Sequence, residues 1–228
     1  MSVKIAALVP AYQAAAQLGE VLRGLFALPE PPHVLVVDDG STDATAEVAK
    51  GAGAEVISLP VNHGKGYALL TGFAALREWD AVVTLDADGQ HPPRCLPAFV
   101  AAAAAGADIV LGTRAITREM PPSRRFANRF SSAWCSALAG QPISDSQCGY
   151  RLYSREVLVR TPVRSSGYEV ETELAVRAAR LGFRLAEVTI PTVYGDEVSH
   201  LSPIRHVPRI VAMMLRLTFE PRPTRKGS

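Results

Sequence analysis

The chain has 228 residues, enough for one large domain with a real core. Its 48% hydrophobic and 20% charged residues are an ordinary globular balance. A net charge of +2 argues against a globally basic nucleic-acid binder, and no nucleic-acid partner is expected. No run of roughly 18 apolar residues offers a membrane span, and Cys95, Cys135 and Cys148 are widely spaced without a CxxC. That pattern fits a reducing, cytoplasmic setting without structural zinc.

The first half alternates between two periods. Strands are expected at 3–9 "VKIAALV", 33–37 "HVLVV", 54–58 "AEVIS", 81–85 "AVVTL" and 107–111 "ADIVL". Helices are expected at 14–27, 43–52, 65–78 and 93–105. Short apolar runs alternating with helices imply βαβ units and a mostly parallel sheet covered on both faces. "KIAALVPAY" meets Pro10 too early for a signal-peptide core and reads as the first strand.

Beyond residue 113 the chain turns basic and irregular. Helices are expected at 124–139, 169–181 and 203–218, and strands at 147–153 and 185–190. We read 1–218 as one α/β, Rossmann-like domain with halves at 1–114 and 115–218, and 219–228 as a flexible tail. In open α/β sheets, ligands sit beyond the carboxyl ends of the strands. Tyr12, Asp38, Asp39, Asp86, Asp88 and Arg114 all fall there.

"VVTLDADGQHPP" (82–93) runs an apolar strand into two carboxylates. In extended chain, Asp86, Asp88 and Gln90 share a face and present oxygen ligands suited to Mg²⁺ or Mn²⁺. The plain structural alternative is a capped turn before a proline-initiated helix. "VVDDGSTDAT" (36–45) is a second acidic strand end, with Gly40 for a tight turn and Ser41 or Thr42 as caps for the next helix. "LVPAYQ" (8–13) offers Tyr12 for stacking on a base. "NHGKGYALLTGF" (62–73) puts Gly64, Lys65 and Gly66 at a helix start, where amides and a lysine suit a phosphate. The P-loop spacing is absent, and so is GxGxxG after the first strand. The glycine-rich, basic start of a sugar-1-phosphate nucleotidyltransferase is missing too.

In this order, these segments resemble family 2 glycosyltransferases with a GT-A fold. Within that family the nearest likeness is to polyprenyl-phosphate sugar transferases of the dolichyl-phosphate mannose synthase type. "GTR" (112–114), "DSQCGYRLYSREV" (145–157) and "YGDEVSHLSPIRH" (194–206) extend the likeness over roughly residues 3–206. The resemblance implies inverting transfer of a hexose from a GDP- or UDP-linked sugar to a polyprenyl phosphate. It makes 1–114 the nucleotide-sugar half and 115–218 the acceptor half. Pro10, Tyr12, Val37 and Asp39 would hold base and ribose. Asp86, Ala87 and Asp88 would hold the diphosphate, metal and sugar. Gln90 would complete the metal site, and Arg114 would meet the donor diphosphate or acceptor phosphate. The chain departs from relatives at Ala14, where an acid is common, and at Val193 and His200, where Arg and Lys are common.

A phosphate acceptor is already an anion and needs positioning rather than a base. A hydroxylated acceptor, such as a glycolipid or small molecule, would need a carboxylate base. "GYEVETEL" (167–174) offers Glu169, Glu171 and Glu173, with Glu171 the candidate, against a solvated acidic helix start. His63, His91 and His200 are further candidates, His200 the best of them for substrate. A non-catalytic nucleotide-binding member of the fold is the remaining alternative. Finally, "RRFANRF" (124–130) and the basic, amphipathic helix at 203–218 suit peripheral contact with an anionic membrane.

Overall fold

A computed structural model describes residues 3–114, 122–191 and 203–221, apart from the side chains of 122–124 and 203–207. Strand β1 (Ile5–Ala11) lies near the middle of a seven-stranded sheet. Its neighbours are β2 (His33–Asp38) and β4 (Ala81–Thr84), both parallel to it. Beyond β2 lies β3 (Glu55–Ser58). On the other side follow β6 (Arg151–Ser154), β5 (Ile109–Arg114) and β7 (Leu185–Ile190), giving the order β3-β2-β1-β4-β6-β5-β7.

The apolar runs are continuous because both faces of the sheet are covered. Ala6 and Leu8 of β1 pack with Leu35, Val37 and Val82 on one face. Helices α3 (Lys65–Ala75), α5 (Pro122–Ala139), α7 (Val170–Arg180) and α8 (Pro203–Phe219) cover that face. Ala7 and Val9 point the other way, to α1 (Ala15–Phe26) and α4 (Leu96–Ala104). Leu18, Val21, Leu22 and Leu25 form the buried stripe of α1, at helical spacing. Each fully buried Leu or Val contributes roughly 1.5–3 kcal/mol.

One strand is reversed. β6 runs antiparallel between β4 and β5, with Arg151 opposite both Thr84 and Leu111. Its first residue therefore lies at the carboxyl ends of its neighbours. The segment before it, 145–150, is thereby delivered to the sheet edge where ligands bind.

The expected strand at 147–153 is shorter than its apolar run suggests. Residues 147–150 are irregular, and the chain passes from β6 straight into α6 (Arg155–Arg160), which the sequence reading did not anticipate. Ser154 caps α6 by accepting the Val157 N–H. The expected helix at 93–105 begins as a tighter 3₁₀ turn, Pro93–Cys95, before α4. The helix expected from 43 starts later, as α2 (Thr45–Gly51). Ser41 and Thr42 do not cap it. Gln13, at φ +51°, accepts the N–H groups of Thr42 and Asp43, and Asp43 accepts that of Thr45. No helix among the described residues is long and apolar enough to cross a membrane.

Candidate active site

Asp86 follows β4 by two residues, and the chain turns at once. Residues 87–88 form a turn and Gly89 takes φ +77°. The expectation of an extended Asp86–Asp88–Gln90 face is thus corrected. Asp88 Oδ1 instead accepts the Gln90 N–H at 2.9 Å and closes the turn. A short acidic side chain bonding its own backbone two residues on is favoured in such turns.

Lys65, the first residue of α3, reaches Asp86. Its Nζ lies 2.6 Å from Asp86 Oδ1 and 2.9 Å from Glu171 Oε2. Burial opposes charge on Asp86, but the Lys65 ammonium outweighs it and holds the carboxyl at about 2. Burial likewise opposes charge on Lys65, and its two carboxylates outweigh that and raise its value. The Asp86 side chain remains 28% exposed, so it faces outward from this buried pair.

His91 supports Asp86 from behind. Its Nδ1 accepts the Asp86 N–H at 3.0 Å. That leaves the ring proton on Nε2, which faces Cys148 Sγ at 3.7 Å. Burial holds this imidazole below its ordinary value, against the pull of Asp86. His91 is therefore a buried prop for the Asp86 backbone.

The third strand end brings Arg114. Its guanidinium grips buried Asp145 through Nε at 2.8 Å and Nη2 at 3.2 Å. Asp86 also feels its charge. Arg114 is thus a fixed cation beside the Asp86 carboxylate.

At the adjacent strand ends, Pro10 lies opposite Val37 and Ala11 opposite Asp38. The Asp39 N–H continues this pairing to Ala11 O at 2.8 Å. Pro10 and Val37 are buried, while Tyr12 is half exposed at the end of β1. Asp39 is buried and accepts the N–H of His63 at 2.8 Å and of Gly64 at 2.7 Å. The Gly64 amide, expected to face a phosphate, is taken by that carboxylate. The His63 ring packs on Tyr67, with centroids 4.5 Å apart. Ala87 is buried beside the acidic turn. His200 and Val193 lie outside the described residues.

The acidic start of α7 is not a solvated face. Glu169 and Glu171 are buried, and Glu173 is 0% exposed. Glu173 accepts the N–H of Ser165 at 2.8 Å and pairs with Arg177 and Arg216 at 2.7 Å each. Burial overrides the solvated reading because Glu171 and Glu173 found cationic partners in the fold, while Glu169 Oε2 and Glu171 Oε1 are buried without a hydrogen bond among the described residues.

Arg151 and Gly149 carried no role in the sequence reading, and Gly66 was expected only to offer its amide to a phosphate. Arg151, 2% exposed, donates to Cys148 O at 2.7 Å, Glu171 O at 2.6 Å and Ser146 O at 2.7 Å. It pins segment 146–148 and the start of α7 to the sheet. Gly149 leaves room for the ion pair: a Cβ there would lie 2.7 Å from Lys65 Nζ and 2.9 Å from Asp86 Oδ2. Gly66 lets α3 approach the 166–167 turn, where a Cβ would meet Gly167 O at 2.1 Å. "QCGYR" and "GKG" were the available signals, since a glycine beside a strand or at a helix start often marks close approach of another backbone or side chain.

Among the described residues, no cluster of three or more His, Cys, Asp or Glu forms a closed metal cage. The donors that Asp86, Asp88 and Gln90 offer at the turn are hard oxygens, and the Asp86 carboxylate is 28% exposed. Such a set fits a Mg²⁺ or Mn²⁺ ion whose remaining ligands come from water and a bound diphosphate.

The family model for glycosyl transferase family 2 matches residues 6–161. The chain belongs to that family. It is 34% identical over 202 residues to an uncharacterized protein of Methanocaldococcus jannaschii, covering 85% of this chain and 83% of the other. An undecaprenyl-phosphate mannosyltransferase of Micrococcus luteus is 34% identical over 205 residues, covering 83% of this chain and 84% of the other. Among solved structures, glucosyl-3-phosphoglycerate synthase from Mycobacterium tuberculosis, in complex with Mn²⁺, UDP and glucosyl-3-phosphoglycerate, superposes with a TM-score of 0.72. It is 25% identical and covers 95% of this chain and 78% of that one. The family 2 chain is a glycosyltransferase with the GT-A fold, and the sequence likeness to polyprenyl-phosphate sugar transferases holds.

Proposed function

We propose that this family 2 enzyme moves a hexose from a nucleotide-diphosphate sugar to a polyprenyl phosphate, with inversion. The observation that carries this reading is the state of Glu171. Its Oε2 is held by Lys65 at 2.9 Å, and its Oε1 is shielded from solvent. Glu169 and Glu173, its neighbours in sequence, are buried too. Glu169 Oε2 and Glu171 Oε1 lack a hydrogen-bond partner among the described residues, but both are shut off from solvent, so none of the three presents an exposed oxygen to an acceptor hydroxyl. An acceptor that is already an anion needs no such base. The Micrococcus luteus relative is named as an undecaprenyl-phosphate mannosyltransferase, which supports a lipid-phosphate acceptor here.

In this reading a phosphate oxygen of the acceptor attacks the anomeric carbon from the face opposite the leaving group. The bond from that carbon to the diphosphate breaks, and its electron pair leaves with the diphosphate. Tyr12 stacks on the base, with Pro10, Val37 and Asp39 shaping the base and ribose end. Asp86, Ala87 and Asp88 line the diphosphate and sugar. Asp86, Asp88 and Gln90 would hold the Mg²⁺ or Mn²⁺, which supplies Lewis-acid stabilisation of the departing charge. Arg114, fixed by Asp145, lends a preorganised cation to one of the two phosphates. Glu171 orients Lys65 and so acts as a positioning residue. The protein would meet its lipid acceptor as a peripheral membrane protein.

The test is transfer of labelled hexose from GDP-mannose and from UDP-glucose to a polyprenyl phosphate, with Mn²⁺ or with EDTA. Label entering the organic phase, abolished by EDTA and by Asp88→Ala, supports the reading and names the donor. Label moving instead to a hydroxylated acceptor such as 3-phosphoglycerate overturns the lipid acceptor. Activity indifferent to EDTA overturns the metal.

A further inference from the structure

We infer that one face built by α5 and α8 docks on an anionic lipid surface. The inference gives the lipid-acceptor reading above its geometry and rests on that reading for its purpose. On α5, Phe126 is 74% and Phe130 59% exposed. Neither ring is needed by the core, yet they form an ordered row: Phe126 stacks near Phe130 at 6.5 Å, and Phe130 meets Trp134 edge-on at 5.9 Å. The spacing of four residues puts all three on one helix face.

The row continues onto α8. Trp134 Nε1–H donates to Thr218 Oγ1 at 3.3 Å. Beside Thr218 run Val211, Leu215 and Phe219, again four apart and exposed, Phe219 at 83%. Their inward-facing neighbours Met213, Met214 and Leu217 already fill the core, so the outer row is surplus to packing.

Charge completes the pattern. Arg125, Phe126, Arg129, Phe130 and Ala133 line a shallow hollow on α5. Neither arginine has an ion-pair partner among the described residues. Residues 121–144 contain Arg124, Arg125 and Arg129 and no Asp or Glu, in a chain whose net charge is only +2. Arginines unmatched by acids, interleaved with exposed phenylalanines, complement lipid phosphates and the acyl boundary beneath them. A protein partner would be expected to present acids to these arginines; a second copy of this face would present only more arginines.

Sedimentation with acceptor-free vesicles tests the surface apart from the chemistry. The full chain should pellet with phosphatidylglycerol-containing vesicles at low salt, and much less with pure phosphatidylcholine or at high salt. Phe126→Ser/Phe130→Ser and Arg125→Glu/Arg129→Glu should each lower partitioning by about tenfold or more. Val159→Ser, at an exposed apolar position on α6, should leave it unchanged. Transfer to a short, water-soluble polyprenyl phosphate without vesicles should survive the Phe126→Ser/Phe130→Ser change. A wild type that stays in the supernatant at low salt overturns the inference. So does equal loss in the Val159→Ser control, or a dimer in light scattering that these phenylalanine changes dissociate. Failure of soluble transfer in the wild type would instead count against the acceptor reading alone.

Discussion

Lys65 Nζ sits 2.6 Å from Asp86 Oδ1, linking the first turn of α3 to the end of β4. The same ammonium reaches Glu171 of α7 at 2.9 Å. The neighbouring elements α3 and β4 are therefore tied to the distant α7 by one cation. Because the pair is buried on Lys65's side, removing the charge strands two carboxylates. Lys65→Met should lower kcat by about 100–1000-fold, the scale for losing one preorganised electrostatic contact. Lys65→Arg should not rescue it, because the space beside Gly149 has no room for a guanidinium. Steady-state kinetics on folded variants decides this; near-wild-type kcat in Lys65→Met would rule out the role.

Gly149→Ala tests the same cradle from the other side. The added methyl would press on Lys65 Nζ at 2.7 Å and Asp86 Oδ2 at 2.9 Å. Both are side-chain ends that yield, so stability should fall by only about 1–3 kcal/mol. Activity should fall far more. Gly66→Ala is the contrast, since its methyl meets the backbone oxygen of Gly167 at 2.1 Å and backbone cannot swing away. Urea melts should show Gly66→Ala as the less stable of the two.

Stability should depend on pH through buried carboxylates. Burial raises the Glu173 carboxyl, but hydrogen bonds from Ser165 and the Arg177 contact outweigh it and leave it below the ordinary value. Asp145 is lowered the same way, against burial, by Arg114. A carboxylate lowered in the folded state binds fewer protons there than in the unfolded chain. Its contribution is therefore full above the unfolded value, near pH 4, and is lost as pH falls through the folded one. The Tm should be nearly flat from neutral pH down to about 5 and drop below that. Glu173→Gln should cost about 3–5 kcal/mol at neutral pH, because Arg177 and Arg216 lose their buried partner, and should flatten the acid slope. An unchanged acid slope in Glu173→Gln would show that other groups govern it.

Much of this was legible in the sequence, for identifiable reasons. The strands of the first half could be read because both sheet faces are buried, so their apolar runs are unbroken. Asp86, Lys65 and Arg114 were found because each ends a strand or opens a helix at the sheet's carboxyl edge. What could not be read were matters of partnership. An arginine in "CGYRLY" looks the same whether it faces water or, like Arg151, satisfies three buried carbonyls. The acids of α7 had the composition of a solvated helix start. Only the fold placed Lys65, Arg177 and Arg216 against them. The Asp86–Asp88 turn was misread as extended because strand periodicity does not say where a strand stops.

The three cysteines should differ sharply towards alkylating agents. Thiolate is the reactive form. Burial pushes the Cys135 thiol up to about 11 and the Cys148 thiol up to about 12, and both side chains are shut off from solvent. Cys95, in the 3₁₀ turn before α4, is only partly buried, and its value is raised by burial against the pull of Arg94. Treatment with N-ethylmaleimide at pH 8 should therefore label Cys95 slowly in the native protein and leave the other two intact. Cys148 carries a further consequence, because it lies 3.7 Å from the His91 nitrogen whose ring supports Asp86. Denaturant that opens this region should expose Cys148 and abolish transfer together. Peptide mass spectrometry read alongside activity checks this: Cys148 labelling in fully active protein would mean the prop behind Asp86 is looser than its packing implies.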